Sequence, residues 1–234
     1  MINIHPMEYI ETVQSAQSIE ELLDAAARFA KLQGFDYFAY GHRSHTPFSA
    51  HPIMHNNYPA SWQTMYKKQE YFYQDPLVQH AIKSSVPLIW TAQNTYAVVP
   101  HFLEDLMAFD MKSGWCQSTR STSGISLLTL ARSDTNAPHS EINSPSLMWF
   151  TQVFNNALEK LISSSPLVDN DVQLTSREID VMRWIADGKT SHEIAVILGI
   201  SERTVNFHLN NVMAKLNANN RISATVKAIS LGLI

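Results

Sequence analysis

Cysteine is nearly missing from this chain: one residue, Cys116, among 234. A lone thiol cannot build a disulfide framework, which fits a reducing compartment, so a cytoplasmic protein is expected. Long hydrophobic runs are missing as well. No stretch approaches the about 18 uninterrupted apolar residues a membrane-spanning helix needs. The opening "MINIHPMEYIETVQ" has no basic head before an apolar core, so neither a secretory signal nor a membrane partner is expected. There is no Gly-x-Ser-x-Gly elbow for a hydrolase, and no histidine adjoins Cys116 in sequence to activate it. His42, His45, His51 and His55 match no standard metal-ligand spacing, and no cysteine pair joins them. Residues 1–60 hold no adjacent acidic pair after an apolar strand, as a phosphorylated receiver would need. No repeat and no low-complexity tract occurs. The expectation is a protein with no catalytic residue and no metal.

Present instead is a soluble, globular composition, 45% apolar, with an uneven layout of charge. The net charge of −4 argues against nucleic acid until it is split by region. Residues 172–234 carry seven Lys/Arg against five Asp/Glu, while residues 1–171 carry ten against sixteen. The tail is thus mildly basic, which helps DNA binding without establishing it. Apart from Trp184 and Phe207, every aromatic residue lies before position 172. Between the two regions runs "SSSPLVDND", polar and without periodic hydrophobes. The division expected is therefore residues 1–162, a linker at 163–171, and a small domain at 172–234.

Helices and strands alternate upstream. Ser18 to Glu21 has the spacing of a capping box. The helix behind it buries Ile19, Leu22, Leu23, Ala26 and Phe29, and Gly34 suits a left-handed exit. "FDYFAYGHR", "GWCQSTR" and "SGISLLTLAR" read as strands, and "SPSLMWFTQVFNNALEKLI" as a long closing helix. The fold class expected is α+β: an α/β/α sandwich with one antiparallel sheet, followed by an all-α domain.

In the tail, Thr175 to Glu178 and Thr190 to Glu193 are two further capping boxes, with Leu174 and Ile179 spaced for a hydrophobic staple. The second box opens a short helix expected to bury Ile194, Val196, Ile197 and Leu198. "LGIS" makes a tight turn, and Ser201 caps a third helix with Val205, Leu209, Val212 and Leu216 on its inner stripe. A last helix from about Asn220 aligns Ile222, Val226 and Ile229. Four helices with this turn between the second and third form a helix-turn-helix. Its second helix would present Arg203, Asn206, Phe207, Asn210 and Asn211 outward. Asparagine pairs with adenine through two hydrogen bonds, and an aromatic ring can lie on a thymine methyl. Lys189, Thr190, Thr204 and Lys215 stand where side chains and a helix start could hold phosphates. The plainer reading is a helical packing module whose polar side is merely wet.

The tail strings L-T-x-R-E, W-x-A-D-G-K-T, E-I-A-x-x-L-x-I-S-x-R-T-V-x-x-H and K-L-x-A-x-N-R resemble the DNA-binding domain of LuxR-type transcription regulators. Glu178 and Gly188 match invariant positions of that family, and Met182 stands where leucine or isoleucine is more usual. The resemblance implies that Asn206, Phe207 and Asn210 face bases, and that Thr204, His208 and Lys215 serve backbone or core. It also implies dimerisation through the face from Ile222 to Ile229. The front region resembles the branch of this family that receives N-acyl-homoserine lactones in quorum sensing. The carrying residues are N-Y-P-x-x-W-x-x-x-Y from Asn57 to Tyr66, Asp75–Pro76, Trp90 and Gly114. Near "HFLEDLMAFDMKSG" the family commonly has a bulky aromatic, an alanine and a glycine where this chain has Leu103, Leu106 and Asp110.

The residue types suit such a ligand. Trp62 offers a donor-only indole for the lactone carbonyl, Asp75 an acceptor for the amide N–H, and Tyr58 and Thr129 hydroxyls for the acyl carbonyl. Tyr66, Trp90 and Phe102 would wall the pocket, and each buried methylene of the tail would add about 0.8 kcal/mol. Singly, each aromatic is more often core, and Asp75 before proline is often just a turn cap. The implied protein is a homodimer that binds double-stranded DNA, contacts RNA polymerase and has no cofactor besides this small ligand. Two alternatives stay open: a regulator answering a different or foreign signal, and a front domain that dimerises without ligand.

Overall fold

The computed structural model describes residues 6–45, 52–121, 124–133, 142–163 and 172–234. His51 and all of the expected linker except Ser163 lie outside the described residues. The chain divides into two compact units.

The first unit is built on a five-stranded sheet in the order β2-β1-β5-β4-β3. Its strands are β1 (Tyr37–Ser44), β2 (Ile53–Asn56), β3 (Leu88–Thr91), β4 (Ser113–Arg120) and β5 (Gly124–Arg132). β1 pairs β2, β3 pairs β4 and β4 pairs β5, each antiparallel. The short edge strands β2 and β3 carry four residues each, too few for alternation to reveal them in sequence.

Alternation along the strands sorts their side chains to two faces. Phe38, Tyr40, Trp115, Leu128 and Leu130 join one core with helices α1 (Pro6–Ser15), α2 (Ile19–Leu32) and α7 (Ser144–Ser163). Phe29 of α2 stacks on Phe150 of α7 with ring centroids 3.8 Å apart. Tyr37, Cys116, Leu127 and Ala131 face a second core with α3 (Ala60–Lys68), α4 (Pro76–Lys83), α5 (Ala92–Thr95) and α6 (Pro100–Ala108). This is the expected α/β/α sandwich. α2 is capped by Ser18, whose side chain accepts from Glu21 N–H. The return bond of the box comes from Gln17 N–H to the Glu21 carboxylate, one residue early.

The second unit comprises α8 (Ser176–Ala186), α9 (Ser191–Leu198), α10 (Glu202–Lys215) and α11 (Arg221–Ser230). Both expected capping boxes close, with Thr175 and Glu178, and Thr190 and Glu193, each bonding the other's backbone. Gly199 takes φ +63°, which lets the chain turn from α9 into α10. Val181, Met182, Ile194, Val205, Leu209, Val212, Ala224 and Ala228 form the core.

The expectation for α9 needs correction. Ile194 is buried and Leu198 half-buried, but Val196 is 71% and Ile197 45% exposed. In a two-turn helix at 100° per residue, Ile194, Ala195 and Leu198 share a face, and positions 196 and 197 must swing off it. On α11 the small residues Ala224 and Ala228 are buried; of the expected stripe, Ile222 and Ile229 are exposed and Val226 is half-buried.

Candidate functional site

The chain leaves β2 through Asn57-Tyr58-Pro59 and enters α3 at Ala60. Trp62 then points into the second core, with Tyr66 one turn on. The Trp62 indole touches four rings: Phe109 at 5.2 Å, Phe102 at 5.9 Å, Tyr66 at 6.0 Å and Tyr71 at 6.3 Å between centroids. Phe102, from α6, stacks flat on Tyr71 at 4.0 Å.

Asp75 is fixed by the helix that follows it. One oxygen caps α4 by accepting from Leu77 N–H at 2.8 Å, and Pro76 occupies the first helical position, where no N–H is needed. Two phenols donate to the same carboxylate: Tyr66 at 3.0 Å and Tyr96 at 3.2 Å. Burial pushes the Asp75 carboxyl above its ordinary range, against the opposing pull of those hydrogen bonds. The Tyr58, Tyr66 and Tyr96 phenols are raised first by burial and next by the nearby Asp75 charge, so all three remain protonated donors. Burial and the same carboxylate push the Cys116 thiol up to about 12, which leaves it un-ionised at neutral pH.

Trp90 of β3 packs against Gly114 of β4, its register partner. A Cβ at Gly114 would stand 2.0 Å from the Leu130 carbonyl oxygen and 2.5 Å from the Trp90 ring, so only glycine fits. The Trp90 indole nitrogen is buried without a partner among the described residues. Thr129 of β5 sits opposite Cys116 and alternates onto the same face as Leu127 and Ala131. Tyr58, Trp62, Tyr66, Asp75, Trp90, Phe102 and Thr129 are therefore all placed on one side of the sheet.

Sequence reasoning overlooked Tyr96, Tyr71 and Phe109, which complete this cluster. Tyr96 lies 21 residues from Asp75, and no local pattern links them. Leu106 is buried here, Leu103 packs beside it, and Asp110 holds a left-handed φ of +59° with its carboxylate 2.5 Å from Lys112. Among the described residues no group of three or more His, Cys, Asp or Glu stands together as a metal site.

On α10, Arg203, Asn206, Phe207 and Asn210 are exposed, Phe207 by 60% despite its apolar ring, while Thr204 is half-buried. Asn206 accepts from the Ser191 hydroxyl at 2.8 Å, and Thr204 shares a hydrogen with Ser201 at 2.7 Å. Thr190 caps α9, and Lys189 reaches Glu193 at 3.9 Å. Lys215 differs from the others. Its ammonium donates to Glu178 at 2.7 Å and to the Gln173 carbonyl at 3.1 Å, so it is already committed within the domain. Burial raises the Glu178 carboxyl, but Lys215 and the Thr175 N–H outweigh it and hold the group below its ordinary range.

Residues 18–158 match the family model of the autoinducer binding domain, and residues 172–228 that of the luxR family of bacterial regulatory proteins. The chain belongs to the LuxR family. This LuxR-family chain is a DNA-binding, ligand-responsive transcription regulator of the quorum-sensing type. It is 42% identical to the transcriptional activator protein AnoR of Acinetobacter nosocomialis, over 92% of each chain. It is 32% identical to the quorum-sensing regulator RhlR of Pseudomonas aeruginosa, over 96% of this chain and 93% of that one. Among solved structures, Escherichia coli SdiA superposes with a TM-score of 0.79 at 26% identity, covering 98% of this chain and 97% of SdiA. SdiA holding octanoyl-rac-glycerol gives 0.78 at 25% identity, covering 97% and 94%.

Proposed function

We propose that the front domain, residues 1–162, encloses an N-acyl-homoserine lactone between the sheet and α3–α6. The lactone carbonyl accepts from Trp62, the amide N–H donates to Asp75, and the acyl carbonyl accepts from Tyr58 and Thr129. Tyr66, Trp90 and Phe102 wall the apolar tail. The observation that carries this reading is Tyr66, whose ring packs at a tilt beside Trp62 while its hydroxyl donates to Asp75. One side chain thus ties the donor and the acceptor of the polar head to a common space. The Trp62 indole and the Tyr58 and Thr129 hydroxyls make no hydrogen bond to another described residue, which leaves them for a ligand.

In the second domain, residues 172–234, Arg203, Asn206, Phe207 and Asn210 read base edges in the major groove, and Lys189, Thr190 and Thr204 face phosphates. Two chains bind a two-fold symmetric site as a homodimer, in the cytoplasm, and contact RNA polymerase; the relatives' designation as transcriptional activators favours activation as the outcome. Ligand binding shifts the population toward the DNA-competent dimer by its differential affinity for that state.

The test is thermal stability of the purified protein against acyl-homoserine lactones with butanoyl to dodecanoyl chains. One chain length should give the largest rise, and Asp75→Ala should abolish it. A second reading has its own support, because an SdiA structure holds octanoyl-rac-glycerol. Stabilisation by that glyceride, with indifference to every lactone, would replace the first reading with the second.

A further inference from the structure

Tyr58, like Asp75, is a proposed head-group residue outside a regular element, yet its backbone is held on three sides. Its N–H donates to the Asn56 side-chain oxygen at 3.1 Å, and its carbonyl accepts from the Gln63 amide at 2.8 Å. Asn57 supplies the third hold. Its backbone N–H bonds the Phe38 carbonyl at 3.2 Å, continuing the β1–β2 ladder past the last register pair, Ala39 with Asn56. The next ladder bond would run from Phe38 N–H to the Asn57 backbone carbonyl, but Pro59 turns the chain away from the sheet toward α3. The Asn57 side chain takes that place: its oxygen accepts from Phe38 N–H at 2.7 Å, and its nitrogen reaches the Asp36 carbonyl at 3.4 Å.

We infer that Asn57 is a positioning residue for signal recognition. By standing in for a strand residue it fixes where the chain leaves the sheet, and so where the Tyr58 hydroxyl meets the acyl carbonyl. The inference rests on the lactone reading of the pocket and adds the determinant of its geometry. Asparagine suits the task because it alone, at this length, carries both an acceptor for Phe38 and a donor for Asp36. The residue itself is exposed, so replacing it opens no cavity in the core.

The experiment compares Asn57→Ala, Asn57→Asp, Tyr58→Phe, Asp75→Ala and the double variant Asn57→Ala/Tyr58→Phe. The probe is the most stabilising lactone of the panel. Asn57→Ala should weaken binding about tenfold, the scale of one hydrogen bond, with the ligand-free unfolding midpoint nearly unchanged. Asn57→Asp keeps the acceptor for Phe38 and should recover part of the loss. In the Tyr58→Phe background Asn57→Ala should cost little more, since the hydroxyl it positions is gone. Without ligand, amide exchange at Phe38 should speed up in Asn57→Ala while β4 and β5 stay protected. Equal losses in both backgrounds, or unchanged exchange at Phe38, would overturn the inference. If Asp75→Ala loses binding while Asn57→Ala and Tyr58→Phe do not, this inference fails and the pocket reading stands. If Asp75→Ala also binds normally, both fail.

Discussion

Replacing Lys215 by methionine separates two roles that the sequence leaves together. The substitution keeps the aliphatic stem and removes the ammonium, leaving the Glu178 carboxylate with its Thr175 N–H. Glu178 is 4% exposed and Lys215 37%. Breaking a fully buried pair costs roughly 3–5 kcal/mol because the remaining charge is stranded. Water reaches the exposed part of Lys215, so screening lowers the expectation to about 2 kcal/mol. For a domain of this size that is a fall of roughly 10 °C in the unfolding midpoint of the C-terminal unit. The pH dependence has a definite sign. In the native protein the Glu178 pKa is depressed, so its stabilisation is complete above its unfolded value and lost as pH falls through the lower folded one. Without the ammonium, burial is opposed only by the Thr175 hydrogen bonds, so the folded pKa rises above the native one and the deficit of Lys215→Met should shrink as the pH falls through the carboxylate range. The assays are calorimetry across pH and DNA affinity across salt. A residue on a phosphate would instead lower the slope of log K against log salt by about 0.9 with stability untouched. That outcome would refute the structural role.

Other expectations follow from the same geometry. Gly114→Ala should destabilise the front domain by about 3 kcal/mol or more, since backbone and a packed indole meet the new methyl; a normal melt would refute the close approach. Asp110→Gly should raise the front-domain midpoint by the equivalent of about 0.5–1 kcal/mol, as glycine adopts φ +59° freely and the ion pair of exposed Asp110 with half-buried Lys112 is screened by water. Phe207→Ala should leave stability within about 0.5 kcal/mol. It should weaken binding to the specific operator while non-specific binding stays level, and competition assays with random DNA would reveal the difference.

Much of the fold was legible because its signals are local. Ser18, Thr175, Thr190 and Ser201 each satisfy an amide three residues ahead, so four helix starts can be read from short strings. Val205, Leu209 and Val212 repeat at the helical period, which names the inner side of α10 and leaves the outer side to Asn206, Phe207 and Asn210. The motif order from Asn57 to Gly114 indicated most of the pocket through family resemblance, not through any pairwise signal.

Other features depend on residues far apart in the chain. Edge strands of four residues exist only because neighbours pair with them. Val196 and Ile197 are apolar enough to be core, and only the direction from which α10 packs decides that they face outward. Tyr96 reaches Asp75, and Lys215 reaches Glu178, across 21 and 37 residues. Composition and periodicity thus determined which segments coil, which extend and which side of each is apolar, since those depend on bonds within a few residues. Tertiary closure alone decided which polar groups are paired internally and which are left for a signal or for DNA, because a hydrogen bond depends on distance in space.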